Sequence, residues 1–560
     1  MPNNSTRLPT KWQKTGASRW QTGLLRLLLF CCGCASAGSG AQRDILTPPP
    51  PAKPVINGPA VYGVRPGHPF LYLVPTTGER PIQFSAAALP RGLSLDPVTG
   101  IITGTIARAG EYAVRLSASN AHGKATRAFK IIVGSTLALT PPMGWSSWYM
   151  AYANISDELI RAQADALISS GLVQHGYSFV DIDDGWNIKV SGADAAGAGT
   201  ARTAAGDLMP NAKFPDMKAL TSYVHGKGLK TGIYTSPGPS TCGGYEGSYR
   251  HEKQDAQLFS SWGFDLVKYD LCSYRKILSD SKNPEDIEKP YQLMGDILKA
   301  QDRDMLFNLC EYGRGDVWTW ARKAGGHFWR TTGDVGGGGP NRNLWVNMSS
   351  MGFGQAGKEK WAGPGGWNDP DNILIGQIYW NGQLAPTPLT HNEQYTYVTL
   401  WSVLSSPLVF GGDMTKLDDF TLSLLTNDEI IAVNQDPLGR QGAPVLRSAD
   451  SEIWVKDLLD GSKAVGLFNR SNTEAQISVR WSDLGISGAW MVRDLWRQKN
   501  LGSQTESFQM PVGEHGAEMI LLLRKPRKTV AASSTPRQEL ASSYTVSRRA
   551  SAPFALQRKR

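Results

Sequence analysis

Four short segments gather acidic residues at spacings that could do chemistry. Asp181-Ile-Asp183-Asp184-Gly-Trp186, Lys268-Tyr-Asp270-Leu-Cys272, Trp329-Arg330-Thr-Thr-Gly-Asp334 and Asn368-Asp369-Pro-Asp371 each follow a short apolar run. Trp145 and Trp148 close another such run, and Cys310-Glu311-Tyr312 a further one. Carboxylates aimed at one place repel one another, so gathering them needs a chemical reason. A metal centre would want imidazole ligands, yet of eight His only His327 lies in these runs, at the start of one. Phosphoryl transfer wants a glycine-rich loop ending in Lys-Ser/Thr, and Gly336–Gly339 lacks that ending. Glycoside hydrolysis needs two carboxyls flanking an anomeric carbon, polar groups for the sugar hydroxyls and an aromatic platform. That list matches the residues present, with no metal and no cofactor required.

The segments need a scaffold that brings them to one mouth. Strands are expected at 143–148, 178–182, 230–234, 265–269, 305–309, 327–331, 365–367 and 408–410. Helices are expected between them at 157–170, 217–227, 252–262, 285–300, 317–324 and 392–405, with Asp157 and Asn392 near starts and Gly171 and Gly228 near ends. Eight strand-then-helix units over 137–436 predict a (β/α)8 TIM barrel, whose site lies at the C-terminal ends of the strands, where every acidic segment falls. Two residues apart on one strand, Lys268 and Asp270 share a face.

The flanks read differently. Residues 55–135 show short alternating strands and close turns, predicting a small Ig-like β-sandwich without a titratable cluster, a spacer or surface-adhesion module. Alternation returns over 440–523 as a C-terminal antiparallel β-sandwich. Residues 1–37 combine Arg19 and Arg26, the apolar 24–30 and Ala35-Ser36-Ala37, the plan of a signal peptide, so a secreted or periplasmic protein is expected. A Pro-rich linker, 38–54, follows; 524–560 reads as a basic disordered tail. The net charge of +9 belongs to these ends: residues 1–43 carry six Lys/Arg and no acid, and 524–560 carry ten against one. The body between is left at −6, which gives phosphates no basic face and excludes nucleic acid as a partner. The apolar run at 24–37 is too short for a stable membrane span.

Seven motifs occur in order: T-P-P-M-G-W from Thr140, D-I-D-D-G-W from Asp181, G-I-Y from Gly232, W-G-F-D-L-V-K-Y-D-L-C from Trp262, L-C-E-Y-G from Leu309, W-R-T-T-G-D from Trp329 and G-G-W-N-D-P-D from Gly365. Over 140–525 the chain resembles family 27 of the glycoside hydrolases, the melibiase-type α-galactosidases. The segment from Ala88 resembles the immunoglobulin-like modules of bacterial secreted enzymes. The resemblance implies a retaining α-galactosidase with Asp270 as nucleophile and Asp334 as general acid/base. It assigns galactose contacts to Trp145, Asp183, Asp184, Lys268, Arg330 and Asp371, places Tyr234, Cys310 and Tyr312 around the same subsite, and pairs Cys242 with Cys272 in a disulfide. The substrate would be an α-galactoside oligo- or polysaccharide. A carboxylate beside Lys268 should be held ionised, and its close partner should keep a proton by like-charge repulsion. Cys310 should then be a shielded thiol, its pKa raised by Glu311.

Departures keep the sugar open. Tyr312 stands where many members have Trp, Asn372 where Met is usual, and Gly185 where eukaryotic members have a Cys. α-N-Acetylgalactosaminidase, β-L-arabinopyranosidase and isomaltose-releasing dextranase share the family. Paired Asp183 and Asp184 suit the galactose 4- and 6-hydroxyls, and bulky Glu311 and Tyr312 disfavour an N-acetyl group. An inactive galactoside-binding surface protein is the non-enzyme alternative, at odds with the presence of both carboxylates.

Overall fold

The computed structural model describes residues 44–190, 200–278, 283–337 and 342–524; the expected signal peptide and nearly all of the basic tail lie outside them. At its centre eight short strands run parallel in the order Met143–Ser146, Phe179–Ile182, Lys230–Thr235, Leu266–Asp270, Leu306–Cys310, Phe328–Arg330, Trp367–Asp369, with Leu408–Phe410 on the other side of the first. A parallel bridge between Ile373 and Phe410 closes the ring. This is the expected barrel, each strand within two residues of its sequence-derived position.

Two helical expectations shift. Residues 317–324 form no α-helix; a 3₁₀ segment, Arg314–Thr319, takes their place. Gly313, Gly315 and Asp316 all adopt positive φ there, which interrupts the helical hydrogen-bond ladder before it can start. Leu344–Phe353 is a helix the polar/apolar period did not reveal, because it is apolar nearly all round; Asn343 caps it by accepting from the Val346 N–H. The starts at 157 and 392 are capped one and two residues earlier, by Ser156 and by Thr390, which forms a capping box with Glu393.

Eight of the 18 Trp, among them Trp145, Trp186, Trp329, Trp367 and Trp401, are fully buried. The tryptophan excess mainly builds cores.

The N-terminal module is a sandwich of a four-stranded sheet (Val61–Val64, Gly123–Val133, Gly110–Asn120, Gln83–Ala87) and a three-stranded one (Pro69–Leu73, Ile101–Thr105, Leu93–Leu95). Instead of hanging free as a spacer, it packs on the barrel floor, the face opposite the strand C-termini. Arg65 donates from Nε to Asp304 at 2.5 Å and from its backbone N–H at 2.9 Å, and its Nη2 reaches the Arg303 carbonyl at 2.9 Å. Lys230, at the start of the third barrel strand, lies over the Tyr62 ring at 4.4 Å and donates to its hydroxyl. The Pro-rich segment is also held: Tyr395 accepts from the Ile45 N–H and donates to its carbonyl, and Thr47 donates to the Ser423 carbonyl. At the other end, Ala443–Arg447, Ser451–Asp457, Lys463–Asn469, Ala517–Arg524, Trp490–Asp494 and Lys499–Gln504 form an antiparallel sheet. Ala475–Arg480 and Ser507–Val512 cover it as a second layer. Among the described residues, no helix is long and apolar enough to cross a membrane.

Candidate active site

Strand register decides which side chains meet. Pairing sets Tyr234 beside Lys268 and Asn308, and Asp270 beside Cys310 one layer higher. Arg330 pairs with Asp369 at the ends of the sixth and seventh strands.

Asp270 is the centre of the arrangement. Its carboxylate is 5 % exposed and accepts from the Tyr312 hydroxyl at 2.6 Å on Oδ1 and from the Tyr234 hydroxyl at 3.0 Å on Oδ2. Burial pushes its pKa up; Lys268 and the two phenols oppose that, and Asp334 adds to it. The expected neighbour Lys268 is present, but its ammonium bonds Asp183 Oδ2 at 2.7 Å. Burial therefore outweighs the lysine, and two phenols supply the donors that sequence reasoning gave to Lys268.

Arg330 organises the opposite side. Nη2 lies 3.2 Å from Asp334 Oδ1, and Nη1 lies 3.1 Å from Asp371 Oδ1 and 3.8 Å from Cys310 Sγ. Asp371 also accepts from the Tyr149 hydroxyl and the Val335 N–H, both at 2.8 Å, and its backbone sits at φ +97°, a left-handed conformation that a side chain strains. Asp334, by contrast, is 44 % exposed. One carboxylate is enclosed and the other opens to solvent.

Asp183 and Asp184 occupy the remaining wall. The Asp183 N–H donates to Ser147 Oγ, while Asp184 accepts from the Gly243 N–H at 2.7 Å and keeps Oδ1 buried and without a hydrogen-bond partner. Burial pushes the Asp184 carboxyl to about 7. A cavity of about 20 Å³ beneath is lined by Asp181, Asn308 and Asp369, among others. Burial, then Asp183, push Asp181 to about 8, and burial takes Asp369 to about 6.

Cys242 and Cys272 are joined as a disulfide, Cα atoms 4.9 Å apart. Cys310 is a buried free thiol at the end of the fifth strand. Its pKa is raised by burial first and Asp270 next; Glu311, the expected cause, turns its Oε1 to the Gly313 N–H instead. Arg330 and Lys268, distant in sequence, are its cationic neighbours. His327 is no ligand candidate: its Nδ1 accepts from the Phe307 N–H, and burial lowers its pKa to about 4.

Trp145, at the end of the first strand, has no exposed surface, and its indole N–H donates to the Gly412 carbonyl at 2.7 Å. Trp148, three residues on, keeps an exposed edge and meets the Tyr152 ring edge-on at 5.0 Å. Sequence reasoning also passed over Tyr149, although its place just past the first strand was signal enough.

Comparison with known proteins agrees with this geometry. The alpha galactosidase A family matches residues 140–436, its C-terminal β-sandwich domain 448–522 and an Ig domain family 53–134. The chain belongs to the α-galactosidase A family. It is thus a glycoside hydrolase on a barrel of that kind. This family member is 37% identical over 391 residues to an α-galactosidase of Cyamopsis tetragonoloba, covering 69% of this chain and 87% of that one. It is 37% identical over 412 residues to α-galactosidase A of Cellvibrio japonicus, covering 70% and 93%. The crystal structure of α-galactosidase I from Mortierella vinacea superposes with a TM-score of 0.62 at 30% identity, covering 70% of this chain and 98% of that one.

Proposed function

We propose that this enzyme removes terminal non-reducing α-D-galactosyl residues with retention, by double displacement through a galactosyl ester on Asp270. The observation that carries the reading is the pair of phenol donors, Tyr234 and Tyr312, one on each oxygen of Asp270. They stabilise the anion and fix the plane of attack. Asp334, open to solvent and bonded to Arg330, protonates the departing oxygen and then takes a proton from the incoming water. Asp183, held by Lys268, and Asp184, with a free buried oxygen, take the sugar's 4- and 6-hydroxyls; Arg330 and Asp371 reach those nearer the anomeric centre. Cys310 and Tyr312 fill the space beside C2, too little for an N-acetyl group.

Export is part of the proposal. The N-terminal pattern supports it, and so does the disulfide, a bond that persists in oxidising compartments. Turnover of para-nitrophenyl α-galactoside followed by proton NMR tests the mechanism: α-galactose should appear first and mutarotate later. β-Galactose as the first product would overturn retention, and absence of turnover would favour an inactive binding protein.

A further inference from the structure

The two hydroxyls that hold Asp270 also touch the disulfide. Tyr234 Oη lies 3.2 Å from Cys272 Sγ, and Tyr312 Oη lies 3.5 Å from Cys242 Sγ. The two sulfurs and one Asp270 oxygen all lie within 4.8 Å of one another, and among the described residues this is the single group of His, Cys, Asp or Glu so arranged. While the S–S bond stands, neither sulfur is a thiolate, and thiolate is the form that binds metal. Once it is cleaved, the same atoms become two thiolates and a carboxylate. That donor set suits a thiophilic divalent cation, with a fourth tetrahedral position left for water. At metal–ligand distances of roughly 2.0–2.3 Å the freed sulfurs stand apart from each other, out of bonding distance, while the carboxylate oxygen draws in by on the order of 1 Å. Access is one-sided: Cys242 is exposed, whereas Cys272 is buried beside the carboxylate.

We propose that reduction of Cys242–Cys272 opens an inhibitory site for a thiophilic divalent cation, zinc or cadmium, with Asp270 as third ligand. An external dithiol attacks the exposed Cys242 sulfur, closes to its own cyclic disulfide, and leaves two thiols on the protein; the reagent loses the two electrons that the protein gains. The cation then displaces the two thiol protons into solvent. Its bond to Asp270 occupies the lone pair that would attack the anomeric carbon. The inhibition rests on Asp270 as nucleophile; the metal site does not. In the oxidised enzyme the disulfide keeps the nucleophile clear of such ions.

The test titrates cadmium into full-length enzyme, oxidised or reduced with dithiothreitol and desalted without air. It reads the ultraviolet cadmium–thiolate charge-transfer band alongside para-nitrophenyl α-galactoside turnover. The reduced enzyme should take up one cadmium per chain with the band, lose at least roughly tenfold in turnover, and recover with EDTA; the oxidised enzyme should do neither. Cys242→Ser should lose the band. Asp270→Asn, which needs no turnover to be read, should keep the band but require on the order of tenfold more cadmium. Equal inhibition of oxidised and reduced enzyme, a band that survives Cys242→Ser (placing the metal on Cys310), or an unchanged cadmium affinity in Asp270→Asn each overturns the site. A band that depends on Asp270 without loss of turnover overturns the inhibition and the nucleophile reading together, while leaving the metal site standing.

Discussion

Tyr312 donates its phenol proton to Oδ1 of Asp270 across 2.6 Å, from a backbone held at φ +65°. The left-handed conformation turns the ring back over the carboxylate instead of out along the loop. The ring thus aims a hydroxyl at the proposed nucleophile. Tyr312→Phe removes a hydrogen bond to an anion, worth roughly 1.5 kcal/mol, or about one pKa unit. The ionised form loses its donor, so its pKa rises above a value that burial already lifts. The acid limb of the pH profile of kcat/KM should therefore move up by about one unit. A limb that stays in place would show that Tyr312 acts on the sugar alone.

Asp334→Ala should separate substrates by leaving group. A para-nitrophenolate departs with little help, whereas the alcohol of an α-1,6 oligosaccharide needs a proton, a contribution of about 10²–10⁴-fold in rate. The loss should thus be far greater on the oligosaccharide, and azide should rescue turnover of the aryl substrate. Equal losses on both would remove Asp334 from the acid's role.

Asp181 should make stability pH-dependent. Its carboxyl titrates at about 8 in the fold and near 4 when unfolded, so the native chain holds a proton that the unfolded chain has released across that window. Stability from this group is full below pH 4 and declines as pH rises to 8. Asp181→Asn, neutral throughout, should match the parent at pH 4 and exceed it at pH 8 by at least roughly 1 kcal/mol, read as a higher Tm. A variant less stable at both pH values would mean the carboxylate is paired.

Arg65→Ala tests what the Ig-like module is for. The guanidinium ties that module to Asp304 and the Arg303 carbonyl on the barrel floor; its loss removes both bonds, leaving Asp304 only the backbone N–H of residue 65 and His68, a cost of roughly 1–3 kcal/mol. A lower Tm for barrel inactivation at unchanged KM is expected. An unaltered Tm would return the module to the status of an independent appendage.

Period and turn chemistry were sufficient to predict the barrel's eight strands, because apolar runs punctuated by Gly and acidic residues leave little freedom of register in a buried parallel sheet. The acidic segments fell past strand ends for the same reason. Residue identity and order also determined the family, and with it Asp270 and Asp334 as candidates. Partner choice was beyond the sequence. Lys268 and Asp270 share a strand face, yet the ammonium bonds Asp183, brought from two strands away, and Asp270 is held by tyrosines from the third and fifth strand ends. Trp145 and Trp148 are equivalent by composition; only barrel closure buried the first against Gly412 and left the second half-buried against the Tyr152 ring. The cations that act on the Cys310 thiol, Arg330 and Lys268, come from other strands. Hydrophobic period is a local property that one strand expresses alone, whereas the strength and direction of an electrostatic contact depend on distances and burial that exist only after eight strands have closed.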